Sequence, residues 1–406
     1  MKQRSERILI IGGGAAGFFA AIRCAEENPT VEVSIWEQAK ASLGKVKISG
    51  GGRCNVTHAC FEPAELVNYY PRGKKALLGP FHKFMTGDTI GWFEDRGVPL
   101  KVESDGRMFP TSDKSESIIQ CLTESARKAG IKIQLKKAAR NLTLSAEGWE
   151  VTAGDGEKHV FDKVLVASGS AKLMYGVLDK LGHTIEDPVP SLFTFNIDDP
   201  LIKDLAGQTH LANVQVEGSP LSETGNMLIT HWGLSGPPVL RLSAWGARYL
   251  YAQNYTFPLS INFLPDWTEE KVLSHFFSLR QDQPSTFLSK KVWPEFTNRL
   301  WQRVLELAGI PKEKRWADMS NALCKSLATT LTAYQVLVNG KSTFKEEFVT
   351  CGGVKLDEVD FRSMQSRKFP NLFFAGEVLD IDAVTGGFNF QAAWTTGWIA
   401  GGAMAK

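Results

Sequence analysis

The most informative pattern of apolar and polar positions lies near the start of the chain. Residues 8–11 form a run of apolar side chains, which is typical of a buried strand. Residues 15–27 are good helix formers with an apolar face, and Pro29 predicts that this helix ends before it. Residues 31–36 alternate between apolar and polar side chains. The pattern predicts a strand-helix-strand unit with Glu37 at the carboxyl end of its second strand.

The glycines between the first strand and the helix have the spacing of a dinucleotide-binding turn. Gly12, Gly14 and Gly17 stand at G-x-G-x-x-G positions. The first permits a tight turn, the second lets the backbone approach a pyrophosphate, and the third allows close contact between helix and strand. The amino end of the helix then faces the phosphates, and Glu37 can bind both hydroxyls of an adenosine ribose. The unit predicts an FAD or NAD site, with a turn that binds nothing as the alternative.

A second glycine-rich stretch, K-V-K-I-S-G-G-G-R-C-N-V-T, occupies residues 45–57 after a predicted loop at 38–44. Three successive glycines favour neither a helix nor a strand, but they expose backbone N–H groups that an extended polar ligand can meet. Arg53 and Asn55 follow closely, where they could bind a phosphate or the edge of a heterocycle. The stretch indicates a ligand contact, with a flexible loop as the alternative.

The pattern farther along divides the chain into parts. Residues 1–190 continue as strands and helices, whereas residues 191–340 change to strand-like pieces followed by helices. We interpret the latter as an inserted β-rich domain with appended helices. Residues 341–406 return to strands, one of them at 347–350, and end in an apolar glycine-rich helix from about Phe388. The first and last parts are therefore expected to form one domain.

Local patterns in the first part predict particular contacts. Asp105 and Gly106 mark a hairpin turn. Asp113 and Glu116 have the spacing of a capping box at the start of a helix. Arg107 could either bind an anionic substrate or pair with Asp105, and the sequence does not decide between these two roles.

The composition is that of an ordinary globular enzyme. Of 406 residues, 43% are hydrophobic and 22% charged, and the net charge of +2 includes no long block of either sign. This balance predicts no nucleic-acid or membrane partner. The basic group Arg72, Lys74 and Lys75 is interpreted as a solvated loop. No apolar run approaches the roughly 18 residues that cross a bilayer, and the first basic residues precede too short an apolar run for a signal peptide, so we expect a cytoplasmic protein.

The six cysteines are scattered, without a C-x-x-C pair or a metal-ligand spacing to any histidine. We therefore predict no metal site and mostly reduced, buried thiols. Cys54 and Cys60 have one residue more between them than the cysteine pair of pyridine nucleotide-disulfide reductases. On a helix this extra residue turns the second sulfur by about 100°. Thiol/disulfide reduction by these cysteines is kept as an alternative function.

Several blocks of sequence together resemble the BaiN-like family of bacterial flavoproteins. They are, in order, residues 12–17 with Glu37, I-S-G-G-G-R-C-N at 48–55, G-R-M-F-P at 106–110, T-H-W-G-L-S-G-P at 230–237 and F-A-G-E-V-L-D-I-D-A-V-T-G-G-F-N-F-Q at 374–391. Members of that family are usually described as NAD(P)/FAD-dependent oxidoreductases. The resemblance implies an α/β fold, in which a Rossmann-like FAD-binding domain of the glutathione-reductase type is interrupted by the insert.

The resemblance also implies which residues hold FAD. The pyrophosphate would lie at the glycine turn, the ribose on Glu37, the adenine beside the backbone of Ala139, and the isoalloxazine at residues 386–389. The expected FAD-binding residues are Gly12, Gly14, Ala15, Ala16, Glu37, Gln38, Lys45, Ser49, Gly50, Gly51, Arg53, Cys54, Asn55, Ala139, Ala167, Ser168, Gly169, Gly376, Glu377, Gly386, Gly387, Phe388 and Asn389. If Gly386 and Gly387 open the last helix, its positive end would stabilise the charge of a reduced flavin.

These observations predict an FAD-dependent oxidoreductase that transfers hydride to or from a small molecule. The sequence has no second G-x-G-x-x-G to mark an NAD domain, so NAD(P)H is expected as a transient donor, with a different physiological donor as the alternative. His231 is a candidate catalytic residue, although a structural role beside Trp232 is commoner, and the catalytic residues stay unassigned. The alternative from another class is a flavin-binding sensor or structural flavoprotein without turnover. The sequence does not show the oligomeric state.

Overall fold

The computed structural model describes residues 4–342 and 349–406. The chain divides into two compact units, of which the first comprises Met1–Val189 and Lys345–Lys406 and the second Pro190–Phe344. Part of the strand predicted at 347–350 lies outside the described residues.

Strands and helices alternate through the described residues. The strands are β1 (Arg7–Ile11), β2 (Glu32–Glu37), β3 (Thr57–His58), β4 (Leu100–Val102), β5 (Arg107–Pro110), β6 (Lys132–Leu135), β7 (Ala139–Ser145), β8 (Gly148–Ala153), β9 (Lys158–Phe161), β10 (Lys163–Val166), β11 (Ile185–Ser191), β12 (Thr194–Ile197), β13 (Thr209–Val216), β14 (Ser222–Ile229), β15 (Gly233–Ser235), β16 (Thr256–Asn262), β17 (Tyr334–Ser342), β18 (Val349–Val354), β19 (Val359–Asp360), β20 (Gln365–Ser366) and β21 (Leu372–Phe374). The helices are α1 (Ala15–Glu27), α2 (Gly44–Gly52), α3 (Pro63–Leu66), α4 (Lys74–Phe81), α5 (Thr86–Glu94), α6 (Ser115–Lys128), α7 (Lys172–Leu181), α8 (Pro237–Trp245), α9 (Ala247–Ala252), α10 (Glu269–Asp282), α11 (Asn298–Leu307), α12 (Asn321–Thr332) and α13 (Phe388–Met404).

A mostly parallel sheet forms the centre of the first unit, with the strand order β19-β20-β21-β10-β1-β2-β6. The strands β21, β10, β1, β2 and β6 pair in parallel, while β19 and β20 are antiparallel at the edge opposite β6. Ile8, Leu9 and Ile10 of the central strand are fully buried, which explains their continuous apolar run. The carboxyl ends of the parallel strands meet at one edge of the sheet, where ligands bind in folds of this class.

The predicted strand-helix-strand unit is confirmed. Helix α1 has the bounds that the sequence predicts, and β2 ends at Glu37. Helix α13 packs closely along α1 because the residues of α13 at the contact are small and let the two backbones approach each other. A Cβ built on Gly397 or Gly401 would lie 2.7 or 2.4 Å from a backbone oxygen of α1. These two helices therefore place the two ends of the first unit's chain side by side.

One local prediction is confirmed and one is wrong. Residues 44–52 form α2, but its dihedral angles are non-helical from Ser49 to Gly51, as the three successive glycines predict. The short helical turn before the glycines is stabilised by packing, since Val46 is buried. Asp113 does not cap α6, because its backbone is left-handed and its carboxylate pairs with Lys101 instead.

The second unit is built around a closed barrel with the strand order β12-β15-β14-β13-β16-β17. Barrel residues such as Val214 and Phe257 share one core with Phe276, Trp301 and Leu327 of the helices α10, α11 and α12. The predicted β-rich insert with appended helices is therefore confirmed as an architecture.

Helix α8 in this second unit is not predicted by the sequence pattern. Its sequence begins Pro237-Pro238, which resembles a break, but prolines are favoured in the first turn of a helix because that turn needs no N–H donor. Across residues 4–342 and 349–406, no helix has the length and apolarity to span a membrane.

Candidate functional site

The glycine turn after β1 borders open space on one side. Gly12 has a φ of +112°, and a Cβ there would lie 2.4 Å from the Ala167 oxygen. A Cβ on Gly17 would lie 2.1 Å from the Gly12 oxygen, whereas one on Gly14 would meet no described atom within 4 Å. The first and third glycines are thus required by the protein's own backbone. The second borders a space in which a pyrophosphate would fit.

The amino end of α1 is available to an anion. Gly14 is the N-cap, no described side chain caps the helix, and its first turn contains no acidic residue. Ala15 and Ala16 begin this turn, so no bulky side chain covers its N–H groups. Free N–H groups and the partial positive charge of a helix amino end bind phosphate groups.

Glu37 lies between the glycine turn and a pocket at the carboxyl edge of the sheet. Its carboxylate accepts hydrogen bonds from Gly13 N–H at 2.8 Å and from Ala39 N–H at 2.7 Å. The pocket is lined in part by Trp36, Glu37, Gln38, Ala139, Ser168 and Met174. A carboxylate can accept about four hydrogen bonds, so Glu37 retains capacity for the hydroxyls of a ribose.

Two residues of this pocket carry a buried polar atom without a partner. These are Ser168 Oγ and Trp36 Nε1, neither of which has a hydrogen bond within the described part of the chain. Buried polar groups are paired in nearly all cases, and a ligand with polar atoms would supply the missing partners. The ammonium of Lys137 lies 4.5 Å from the centre of the Trp36 ring. The pocket thus combines aromatic and polar surface, as an adenosine requires.

The second glycine stretch also leaves its backbone accessible. Gly50, Gly51 and Gly52 are left-handed, with φ of +57°, +67° and +82°. A Cβ on Gly51 or Gly52 would have no described atom within 4 Å, whereas one on Gly50 would lie 2.9 Å from the Phe109 ring. Ser49 precedes them and donates to the Val46 oxygen. Contact between this stretch and FAD stays a prediction that the geometry allows.

The residues after these glycines contact protein groups. The Arg53 guanidinium lies 2.5 Å from Glu103 and stacks over Phe109 at 4.0 Å. In the amide orientation that satisfies its neighbours, Asn55 Oδ1 accepts from Gly387 N–H at 2.9 Å. Within the described residues, the ion pairs of Arg53 engage its Nη1 atom, and its predicted contact with FAD stays a prediction. Asn55 instead connects the glycine stretch to the start of α13.

Cys54 and Cys60 are buried free thiols rather than a disulfide. Burial raises the pKa of Cys54 to about 12 and also raises the pKa of Cys60. Redox-active cysteines need the opposite shift, because the thiolate is the attacking species. The structure therefore gives no support to thiol/disulfide reduction through this pair.

Further predicted residues meet beside the first turn of α1. A Cβ on Gly376 would lie 2.9 Å from the Ala16 Cβ. The Glu377 carboxylate lies 2.5 Å from Lys45 Nζ, and a Cβ on Gly169 would lie 3.6 Å from the same carboxylate. Residues far apart in the sequence are therefore brought together at one edge of the sheet.

The amino end of α13 resembles that of α1. Gly387 is its N-cap, with a φ of +93° and no cap from any described side chain. A Cβ on Gly387 would lie 2.5 Å from the Thr57 oxygen, and Gly386 has a φ of +134°. The positive φ of both residues, and the lack of room for a Cβ at Gly387, therefore require glycine. Asn55 accepts the Gly387 N–H, but no described side chain caps the first turn of the helix, so the N–H groups of that turn can face a ligand.

Phe388 and Asn389, which follow these glycines, are fixed by neighbouring groups. The Phe388 ring packs against those of His58 and Tyr69, with centres 4.6 and 4.1 Å apart. The Asn389 side chain accepts from the Ala383 N–H at 3.0 Å and donates to the Ala383 oxygen at 3.1 Å. Asn389 therefore orders the loop before α13, and its direct contact with FAD stays a prediction.

Gln391, which anchors α13, is not among the residues predicted from the sequence. This fully buried side chain accepts from Thr57 Oγ1 at 2.6 Å and from Thr89 Oγ1 at 3.0 Å, and donates to Thr395 Oγ1 at 3.1 Å. A long amide side chain in a helix made mostly of apolar and small residues is the sequence signal that could have identified it.

The structure shows the surroundings of Arg107 and His231, for which the sequence leaves two roles open. Arg107 donates to the Asp105 carboxylate at 2.7 Å, which is the ion-pair alternative. His231 is exposed in the second unit, and its catalytic role stays a hypothesis.

The sequence profile of the HI0933-like protein Rossmann domain matches residues 6–403. The chain belongs to the HI0933-like family. This match confirms the resemblance to BaiN-like flavoproteins and the Rossmann-type fold.

Curated relatives cover nearly the whole of this HI0933-like chain. It is 30% identical to the 3-dehydro-bile acid delta(4,6)-reductase of Clostridium scindens, over 98% of the chain and 99% of the relative. It is 29% identical to the ribosomal RNA dihydrouridine synthase of Escherichia coli, over 96% of each protein. The corresponding protein of Haemophilus influenzae is 26% identical over 98% of each.

Solved structures share the fold of this HI0933-like protein at low sequence identity. The 3-ketosteroid delta1-dehydrogenase of Sterolibacterium denitrificans has a TM-score of 0.52 at 11% identity, with 99% of this chain and 100% of that one covered. A flavocytochrome c3 fumarate reductase has a TM-score of 0.51 at 15% identity, with 99% and 78% covered. These likenesses show the common fold.

Proposed function

We propose that this FAD-dependent oxidoreductase reduces a carbon–carbon double bond that is conjugated to a carbonyl group. The observation that carries the proposal is a property common to its relatives' named substrates. The Clostridium relative is named for the delta(4,6) double bonds of a 3-dehydro-bile acid, and two others for dihydrouridine in rRNA. The delta(4,6) double bonds are conjugated to the 3-ketone, and the double bond of uracil that is lost in dihydrouridine is conjugated to a ring carbonyl.

The dinucleotide site fits FAD through this chain's own residues. The amino end of α1 would bind the pyrophosphate beside Gly14, and Glu37 would accept the ribose hydroxyls. Ser168 Oγ would find its missing partner in the ligand. The amino end of α13 at Gly387 would stabilise negative charge on the reduced ring.

The expected chemistry is a two-electron reduction. Bound FAD, once reduced, supplies the hydride. The hydride adds to the carbon β to the carbonyl, the electron pair moves to the carbonyl oxygen, and a proton from solvent or a side chain then adds to the α carbon. We propose NAD(P)H as the electron donor, and because the sequence has no second G-x-G-x-x-G motif, it would bind only transiently.

We favour a small unsaturated ketone as the substrate, and uridine in rRNA is the second candidate. The second candidate is supported by two relatives that align over almost their full length. The sequence-based expectation of no nucleic-acid partner rests only on a net charge of +2 without charge blocks.

The test begins with the flavin of the purified protein, which should be released on denaturation as FAD. The reduced protein is then mixed anaerobically with a 3-oxo-4,6-diene steroid, with its saturated analogue, and with rRNA that lacks dihydrouridine. Rapid flavin reoxidation by the diene, but not by the saturated control, supports the proposal. Reoxidation by rRNA alone selects the second candidate. A flavin that none of these oxidises and NAD(P)H does not reduce would instead support the sensor alternative.

A further inference from the structure

Residues 69–73 form a strap across the loop that leads into α13. The loop comprises residues 381–387. The backbones of Arg72 and Asp382 form an antiparallel bridge, and the Val384 N–H donates to the Tyr69 oxygen at 3.0 Å. The hydroxyl of Tyr70, which is fully buried, donates to the Phe388 oxygen at 2.6 Å. The strap therefore contacts both the loop and the first residue of α13.

A buried ion pair connects the strap to the loop. The Asp382 side chain is 0% exposed and that of Arg72 is 16% exposed. Arg72 Nε lies 2.5 Å from Asp382 Oδ1, and Arg72 Nη2 donates to the other carboxylate oxygen, so the pair is bidentate. Arg72 is thus not part of a solvated loop, contrary to the interpretation of its sequence, whereas the neighbouring Lys74 and Lys75 are exposed.

The strap lies very close to the loop. Gly73 has a φ of +92°, and a Cβ there would lie 2.8 Å from a side-chain carbon of Ile381. Glycine allows this approach because it has no side chain and tolerates positive φ. The opposite side of the loop is fixed by Asn55 at Gly387. Contacts with the strap on one side and with Asn55 on the other therefore hold the loop that carries Gly386 and Gly387.

We propose that Arg72 is a positioning residue for the flavin end of the FAD site. Its ion pair with Asp382 holds the loop that presents Gly386 and Gly387, and it balances a buried negative charge on that loop. The inference rests on the proposed function, because it assumes that FAD binds at residues 386–389. It extends that function by naming a residue that acts on the flavin through Asp382.

The charges of Arg72 and Asp382 predict opposite changes in the midpoint potential of the flavin when each residue is replaced. Removing the cation of Arg72 leaves the Asp382 carboxylate without this partner, and negative charge beside the flavin disfavours its reduction. Neutralising Asp382 leaves the cation of Arg72, which favours reduction. The midpoint potential of the flavin should therefore fall in one variant and rise in the other. General loosening of the loop would shift both in the same direction.

The experiment compares Arg72→Met, Asp382→Asn and Arg72→Lys with a control, Arg96→Met. Arg96 pairs with Glu26 in the same unit and does not belong to the strap. Midpoint potentials, flavin absorbance spectra and FAD dissociation constants are measured on the whole protein. We expect a lower potential and a roughly tenfold weaker FAD affinity in Arg72→Met, which corresponds to about 1.4 kcal/mol. We also expect a higher potential in Asp382→Asn and near-native values in Arg72→Lys and the control.

Shifts of the same sign in Arg72→Met and Asp382→Asn, or no shift while FAD stays bound, would overturn the inference. If Arg72→Met does not fold, Asp382→Asn and Arg72→Lys decide the matter, since a rise in the first and a near-native value in the second support it. Wild-type protein that holds no FAD would refute the proposed cofactor site instead, so the two failures are distinguishable.

Discussion

Glu37 orders the backbone around the glycine turn and also lines the pocket at the carboxyl edge of the sheet. Its oxygens accept the N–H groups of Gly13 and Ala39, which orders the glycine turn and the chain after β2. The same carboxylate borders the pocket in which the adenosine is expected. A dinucleotide would therefore meet an acceptor that is already held in place, and little ordering entropy would be lost on binding.

Replacing Glu37 with Ala should weaken FAD binding by roughly 1.5–3 kcal/mol, which is the range for a hydrogen bond to a charged group. Titration of the apoprotein with FAD measures this loss. Glu32→Ala is the matched control, since Glu32 lies on the same strand with its carboxylate paired to Lys132 at the surface. Unchanged affinity in Glu37→Ala would place the ribose elsewhere.

Gly14 differs from Gly12 and Gly17 because a side chain at its position would not collide with any described atom. A Cβ on Gly14 would enter empty space, and its φ of −94° suits any residue. We therefore expect Gly14→Ala to leave the free energy of unfolding of the apoprotein within about 1 kcal/mol of wild type and to weaken FAD binding.

The same substitution at Gly91 is the control for Gly14→Ala. Gly91 lies in α5, and a Cβ there also meets no described atom within 4 Å. Chemical unfolding of the apoproteins and FAD titration give the two quantities. Native FAD affinity in Gly14→Ala would show that the pyrophosphate does not approach this glycine.

A buried polar cluster connects His183, just after α7, with Glu358, just before β19, and with Ser366 of β20. His183 Nδ1 lies 2.7 Å from Glu358, and His183 Nε2 lies 3.1 Å from Ser366 Oγ. The order of the groups resembles a nucleophile triad. Ser366 Oγ, however, already accepts the N–H groups of Lys368 and Phe369, and all three triad members are buried. The cluster is therefore structural.

This cluster should make stability sensitive to acid. Burial opposes the charge of Glu358, but hydrogen bonds from Lys368 and Thr184 lower its pKa from 4.5 to about 2. Burial lowers the pKa of His183 below 6.5. In both cases the unfolded chain binds more protons than the folded one. The free energy of unfolding therefore falls as the pH drops below 6.5 for His183 and below 4.5 for Glu358.

Glu358→Gln should remove the part of this loss that occurs between pH 4.5 and about 2, and it should lower stability at neutral pH. Urea unfolding at a series of pH values from 7 to 3 measures the slope. The control is Glu147→Gln, which changes an exposed carboxylate in the turn between β7 and β8. An acid slope equal to that of wild type would assign the sensitivity to other groups.

The sequence predicts those elements whose signals are local. The bounds of α1 and the position of Glu37 follow from glycine spacing, helix formers and Pro29 within one stretch. The capping role predicted for Asp113 is wrong, because its carboxylate pairs with Lys101 of β4, outside the local pattern. Arg72 could not be assigned from sequence, since its partner Asp382 is 310 residues away. The type of ligand can therefore be predicted from local sequence, whereas the long-range contacts that position the site cannot.

At the scale of the molecule, we propose that the two compact units are the FAD-binding and inserted domains predicted from the sequence. The first contains the parallel sheet and every residue that we assign to FAD, and the second has its own barrel core. Because each unit has a separate core, each can unfold as its own cooperative step.

Calorimetry of the apoprotein should therefore show two thermal transitions, and FAD should raise only one of them. A ligand at 100 times its dissociation constant adds about 2.7 kcal/mol to the unit that binds it. Val214→Ala, in the fully buried barrel core, should lower the other transition and so assign it to the second unit. Glu37→Ala should reduce the shift produced by FAD, since the ribose contact lies in the first unit. A single transition, or equal shifts of both transitions with FAD, would show that the two units unfold together and would contradict the assignment of separate cooperative domains.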